Sequence, residues 1–205
     1  MEEKEIILKY AGERFYKEGF NKISMDEIAS FLHISKKTIY KYFPSKDHLV
    51  ETLIDRNCEY HLENEIRILK QNANIIKKIV HMIQFNLNDF SKFSEKWLTD
   101  LQIHKPELWD KYMKFKNEKH YNHFKRIYTE GRKEKLLKDI PMDLILNGIE
   151  TIVKGVLHSD FLKSSKLSFK QALNYSIDIL ISGILTLRGL KIYEKEKKLS
   201  KLYKF

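Results

Sequence analysis

Apolar residues recur at three- and four-residue steps along most of the chain, and no segment sustains the two-residue alternation of a strand. Ile6, Ile7, Tyr10, Ala11 and Phe15 mark one face of a helix predicted over 2–18, and Gly19 stands where it should stop. The next apolar side is Ile28, Ala29 and Leu32. Ahead of it, Ser24 and Glu27 have capping-box spacing, so the hydroxyl can accept from the Glu27 backbone while the carboxylate reaches back to Ser24. Ile23 and Ile28 have the spacing of a hydrophobic staple across the same start. Ser35 can cap a further short helix over 36–43, with Ile39 and Phe43 on its apolar face. Pro44-Ser45 then breaks the chain and opens a longer helix from Lys46. A short helix, a tight turn and a second short helix form the helix-turn-helix arrangement.

Further helices are predicted over 46–70, 75–90, 94–104, 107–135, 142–163 and 168–190. Pro106 and Pro141 mark starts, and Ser168 with Gln171 offers another capping box. The expected fold class is all-α: an N-terminal three-helix domain over 1–46 and a helical domain over 47–205. The boundary falls at the start of a continuous helix and not in a flexible tether.

Composition narrows the classes of function. The 205 residues are 42% hydrophobic and 32% charged, as in an ordinary globular protein. Cys58 is the one cysteine, which excludes an intrachain disulfide framework. The start, MEEKEIILKY, lacks an apolar signal core, and no apolar run approaches the ~20 residues of a membrane span. The expectation is a cytoplasmic protein with no membrane association, the basic tail being a minor alternative. The net charge of +10 does not by itself locate a nucleic-acid site, because residues 1–48 carry nine basic and eight acidic side chains. Much of the excess lies over Lys111 to Lys138 and in the tail from Arg188.

Local pattern is more telling. The stretch ISKKTIYKYFPSK, Ile34 to Lys46, holds four lysines, two tyrosines and three hydroxyl residues, and no acid occurs from Ile28 to Lys46. Opposite the apolar pair Ile39 and Phe43 stand Lys37, Tyr40 and Lys41, flanked by Lys36, Thr38 and Tyr42. A solvated helix normally intersperses glutamates with its lysines. An acid-free face suits phosphate: lysines neutralise its charge and release counterions, and hydroxyls fix register on the backbone oxygens. Lys46 begins a helix, where unpaired backbone N–H groups also favour an anion. The bland alternative is a solubilising face.

Residues 5–55 resemble the DNA-binding region of the tetracycline-repressor (TetR) family of bacterial transcription regulators. The resemblance is carried by Ala11, Phe15 and Gly19-Phe20, by Ser24-Met25-Asp26-Glu27-Ile28-Ala29, and above all by Ser35 to Lys46. It implies a sequence-specific DNA-binding regulator: a homodimeric repressor released from a palindromic operator by a small-molecule effector. By position, Lys36, Lys37, Thr38 and Tyr40 would face bases or nearby phosphates of double-stranded DNA. Ser24, Ser35, Lys41, Tyr42 and Lys46 would hold its backbone. His33 stands where the family often has glycine, and Lys37 where a small residue is common, which should alter the operator read.

The family's larger domain implies an effector pocket, apolar or amphipathic in its ligand. Ten of the 25 aromatic residues fall between His81 and Tyr128, and Phe85, Trp97, Trp109 and Tyr112 are the candidate wall. The alternative is core, as the stripe Leu108, Tyr112 and Phe115 suggests. His81 and His104 could orient a ligand or be structural. His120 and His123 have metal-ligand spacing, but no cysteine or carboxylate pattern completes a site, so no metal and no cofactor are expected. No glycine-rich phosphate loop, nucleophile elbow or supported carboxylate pair appears, so an enzyme is not expected. Ile149, Ile152 and Val156 near Gly155, with Ile177, Ile181 and Ile184 near Gly183, form broad apolar faces that could make a dimer interface or close the monomer's core. The tail LKIYEKEKKLSKLYKF is expected to be a fraying helix extension. The rival function is a ligand-independent DNA-binding protein that recruits a protein partner through its helical domain.

Overall fold

The structure, a computed structural model, describes residues 2–90, 92–157 and 166–200, with the side chains of Phe90, Lys116, Asn117, His120, Lys154, Leu157 and Phe169 left out. Ten helices are described: α1 (Glu3–Glu18), α2 (Met25–Phe31), α3 (Lys36–Tyr42), α4 (Lys46–Leu69), α5 (Ile75–Phe90), α6 (Glu95–His104), α7 (Pro106–Lys133), α8 (Met142–Leu157), α9 (Phe169–Ile184) and α10 (Leu187–Leu199). For α1 and α3 to α7 the bounds lie within two residues of those expected from periodicity and caps. Among the described residues the one β-type pairing is an isolated antiparallel bridge between Leu137 and Leu185. The fold is all-α.

One expected helix is two. The pattern over 168–190 reads as continuous, but Leu185 is extended, at φ −83° and ψ 145°. Tertiary contacts replace the intrahelical bonds at that point. The Ile184 carbonyl accepts from Lys138 N at 2.9 Å, and Thr186 N donates to the Leu136 carbonyl at 3.0 Å. The Thr186 side chain then caps α10 by accepting from Gly189 N at 3.2 Å. Nor does α10 read as a fraying extension: Tyr193 is fully buried, and its hydroxyl donates to Asp178 at 2.9 Å. Gly189 is required there, since a Cβ would stand 2.2 Å from the Leu136 carbonyl oxygen. The far ends of the predicted 142–163 helix and of the tail lie outside the described residues.

The chain divides into two compact units, one of residues 1–63 with 89–118 and one of residues 64–88 with 119–205. This packing division cross-cuts the expected functional boundary at residue 46, because α6 packs on α1 and the start of α7 is tied to α4 by Lys111. The first unit is built on Ile7, Ala11, Phe15, Ile28, Ile39, Phe43, Leu49 and Val50, all buried. Trp97 of α6 meets Tyr16 and Phe20 edge-on, with ring centroids 4.9 and 5.5 Å apart. Exposed ion pairs join its helices: Arg56 to Glu5 at 2.6 Å, Lys105 to Asp47 at 2.6 Å and Lys111 to Glu51 at 2.9 Å. Such pairs each contribute only about 0–1 kcal/mol, so the aromatic packing dominates.

The same unit buries a polar cluster. His61 Nε2 lies 2.5 Å from Asp89 Oδ2, and Lys92 donates to Asp89 Oδ1 at 2.7 Å. Burial alone would raise the Asp89 pKa, but the bonds from His61 and Lys92 and their charges outweigh it and hold the carboxyl well below the usual range.

The second unit packs Ile75, Ile76 and Val80 of α5 against Ile127, Leu136, Leu137, Ile145, Ile181, Ile184, Leu185 and Tyr193. A satellite cluster holds Leu87, Val156, Ala172 and Leu173. The residues of the expected dimer set fall in or beside these clusters. Val156, Ile181 and Ile184 are buried within the chain itself, and Ile149, Ile152 and Ile177 are partly buried against the same clusters. Helical periodicity marks an apolar face but does not say which neighbour covers it. Among the described residues the large hydrophobic side chains of α8 and α9 that remain exposed are Leu144, Tyr175 and Ile179, at 64%, 48% and 74%.

Candidate nucleic-acid interface

The start of α2 is locked locally. Ser24 Oγ accepts from Glu27 N at 3.1 Å while Ser24 N donates to Glu27 Oε2 at 2.6 Å, completing the capping box. The staple residues Ile23 and Ile28 are both buried. At α3, Ser35 Oγ accepts from Thr38 N at 3.0 Å. Between the two helices His33 takes φ 53°, the left-handed region in which histidine is tolerated better than a β-branched residue. The turn that usually calls for glycine is therefore made with histidine.

Buried Ile39 and Phe43 seat α3 in the core and turn its other side outward. Lys36, Lys37, Tyr40 and Lys41 are exposed, and Thr38 and Tyr42 are half-buried. These side chains do not all wait in open solvent. Lys36 is ion-paired with Asp26. The Tyr42 hydroxyl donates to Glu3 Oε2 at 2.9 Å. Lys46 donates to the Asn21 carbonyl at 3.0 Å and stands 5.9 Å above the Phe20 ring. Burial pulls the Lys46 pKa down, while the charges of Asp100, Asp47 and Glu27 push it back up. Ser24 and Ser35 spend their acceptors on caps. Among the described residues Lys37, Tyr40 and Lys41 are exposed with no hydrogen bond or ion pair, Lys41 standing 5.0 Å above the Tyr42 ring. The surface thus offers three outward groups beside Lys36, Tyr42 and Lys46, which are held on carboxylates and a carbonyl.

A long acid-free lysine and tyrosine face on a short, capped helix can lie along phosphates and present side chains to base edges. Residues 7–53 match the family described as bacterial regulatory proteins, tetR family. An HTH-type transcriptional regulator of Bacillus subtilis (strain 168), YvaF, is 22% identical over 167 residues, covering 81% of this chain and 87% of that protein. Residues 7–53, which hold α2 and α3, are thus similar to the DNA-binding region of TetR-family regulators. The chain's fold is that of solved relatives. A TetR-family regulator from Marinobacter aquaeolei VT8 superposes with TM-score 0.72 at 21% identity, over 96% of this chain and 99% of the other. A transcriptional regulator from Saccharomonospora viridis, solved in complex with choline, superposes with TM-score 0.72 at 19% identity, over 89% and 97%.

The candidate pocket residues separate. Trp97 and Tyr112 are buried in the first unit, where they line a cavity of about 20 Å³ with Tyr16, Ile54, Asn57, Phe93, Leu98 and Leu101. That volume suits a water molecule, against several hundred Å³ for a typical ligand site. Trp109 is half-buried beside Tyr112, ring centroids 6.3 Å apart, and does not line the cavity. Phe85 belongs to the second unit. Leu108 is buried and Phe115 partly so, as their stripe suggested.

His81, His104 and His123 each have a polar neighbour. His81 Nδ1 lies 2.7 Å from Gln71 Oε1, and burial lowers its pKa. His104 is largely exposed, 4.0 Å from Asp100. His123 Nδ1 lies 2.7 Å from the buried Glu65 carboxylate. The His120 side chain lies outside the described residues. No cluster of three or more His, Cys, Asp or Glu suited to a metal occurs among the described residues, and Cys58 is buried. No described helix is long and apolar enough to cross a membrane. The contacts absent from the sequence reading are Asp26, Glu3 and Asn21. Only Asp26, ten residues from Lys36, lies near enough in sequence to suggest a partner.

Proposed function

We propose that the protein is a homodimeric repressor that occupies a pseudo-palindromic operator and is released by a small organic effector. Residues 1–46 are the reading domain, and residues 47–205 hold the effector and the dimer interface. The observation that carries the reading is the outward face of α3. Lys37 and Tyr40 point away from a core sealed by Ile39 and Phe43, and no carboxylate of α3 competes for phosphate. Lys36, Lys37, Thr38 and Tyr40 address bases and adjacent phosphates. Ser24, Ser35, Lys41, Tyr42 and Lys46 hold the backbone.

One short helix reads one half-site weakly, and a two-fold dimer reads an inverted repeat. The face that suits a second copy is the uncovered side of α8 and α9. Leu144, Tyr175 and Ile179 are exposed there, and a Cβ at Gly155 or Gly183 would meet nothing within 4 Å, which leaves room for close approach. The effector reading is supported by the aromatic lining of Tyr16, Phe93, Trp97 and Tyr112, which would have to open beyond its present cavity. The choline bound by the Saccharomonospora viridis protein adds support, since aromatic faces attract quaternary ammonium groups. Release by tenfold needs about 1.4 kcal/mol of differential affinity between the two states.

Selection of bound duplexes from random DNA tests the reading. An inverted repeat is the expected product, and its loss from the selected pool when choline or an apolar panel is added identifies an effector. A selected single, unrepeated site would overturn the dimeric reading.

A further inference from the structure

Asn21, in the turn between α1 and α2, is held from two sides. Its backbone N–H donates to Asp100 Oδ2 of α6 at 2.7 Å, and its carbonyl accepts from Lys46 Nζ at 3.0 Å. One residue therefore connects a carboxylate 79 positions away to the ammonium that opens α4. The turn has little freedom to drift. Gly19 takes φ +80°, and a Cβ there would stand 2.5 Å from Asp100 Oδ2 and 3.2 Å from Lys96 Cβ. Ser94 N, at the cap of α6, donates to the Tyr16 carbonyl at 2.8 Å, which pins α6 to the end of α1. Trp97, three residues before Asp100, is buried against Tyr16 and Phe20. The Asp100 side chain is itself only 16% exposed, so its geometry is set by packing.

We infer that Asp100 is a positioning residue for DNA binding: by holding the Asn21 turn it holds Lys46 where its ammonium can reach a DNA phosphate. The inference rests on the proposed contact of Lys46 with the DNA backbone. It places part of the DNA grip on α6, outside residues 1–46. Displacing α6 by more than a hydrogen bond's reach would loosen Lys46 without touching α3. Grip on the backbone and reading of the bases are then separable, the first answering to α6 and the second to the face of α3.

The sign of the effect distinguishes positioning from plain charge. Asp100 is an acid near the DNA-facing side, and if it acted only through its field, neutralising it would tighten DNA binding whatever occupied position 46. If it acts through Lys46, neutralising it weakens binding, and only while Lys46 is present.

The test is a double-mutant cycle on the full-length protein, with fluorescence anisotropy on an arbitrary duplex across a salt series. Lys46→Ala is expected to weaken binding and to reduce the salt slope by about one. Asp100→Ala, which removes the acceptor of the Asn21 N–H together with the charge, is expected to weaken binding roughly three- to tenfold in the native background and less than about twofold in the Lys46→Ala background. Equal losses in both backgrounds, or tighter binding in both, overturn the relay. An unchanged affinity and salt slope for Lys46→Ala alone would remove Lys46 from the interface, a separate failure seen in the single variant. Gly19→Ala provides a second lesion, because its Cβ displaces the Asp100 carboxylate while leaving the charge in place. It is expected to show the same dependence on Lys46, and independence would again overturn the relay, including where Asp100→Ala does not fold.

Discussion

The Tyr42 hydroxyl donates to the Glu3 carboxylate at 2.9 Å across 39 residues of sequence, which ties the end of α3 to the start of α1. On DNA that phenol would exchange the carboxylate for a phosphate oxygen, and Lys36 would do the same with Asp26. Glu3→Gln is therefore expected to tighten binding to any duplex by up to about fivefold, the scale of an exposed charged contact. Tyr42→Phe is expected to weaken it. Anisotropy titrations check both, and weaker binding by Glu3→Gln would show that the contact holds Tyr42 in place for DNA instead of competing with it.

Lys37 and Tyr42 should differ in kind. Lys37→Ala is expected to change the selected motif at one position per half-site, relaxing discrimination there by roughly 1–3 kcal/mol. Tyr42→Ala should lower affinity for all sequences and leave the motif alone. Parallel duplex selections separate the two, and an unaltered motif for Lys37→Ala would take Lys37 off the bases.

The exposed face of α8 and α9 makes its own prediction. Ile179→Glu is expected to leave a folded monomer with operator affinity lower by roughly 10²-fold, since the second half-site no longer gains from linkage. Sedimentation velocity with a thermal melt reads both mass and folding. Ile181→Glu is expected to unfold the protein instead, because it buries a charge in the monomer's own core. A dimer that survives Ile179→Glu would move the interface elsewhere.

Asp89 links stability to pH. Its carboxyl is held below the ordinary value of about 3.9, so its contribution is complete above about pH 5 and fades as pH falls through that value toward the folded-state pKa. Asp89→Ala leaves His61 and Lys92 without their acceptor and is expected to cost about 3 kcal/mol at pH 7. The gap in Tm between native and variant protein should narrow below pH 4. A gap constant from pH 7 to pH 3 would show that packing, and not the charge, accounts for the loss.

Legibility in the sequence followed the range of the interactions. The capping box at Ser24, the cap at Ser35, the staple of Ile23 and Ile28, and the stop at Gly19 act within four or five residues, so their spacing alone determined where α1 ends and where α2 and α3 begin. The same periodicity determined that α3 buries Ile39 and turns Lys37 and Tyr40 outward. Whatever depended on distant partners was decided by tertiary structure. The break at Leu185 exists because the Leu136 and Ile184 carbonyls bond across to Thr186 and Lys138. Val156, Ile181 and Ile184 are buried in the core because neighbouring helices of the same chain cover them. Glu3 on Tyr42 and Asp100 on Asn21 leave no trace in local pattern, since a carboxylate on a helix reads as solvated until the chain folds something onto it. Local hydrogen-bond geometry made the reading helix. Long-range packing decided what holds it.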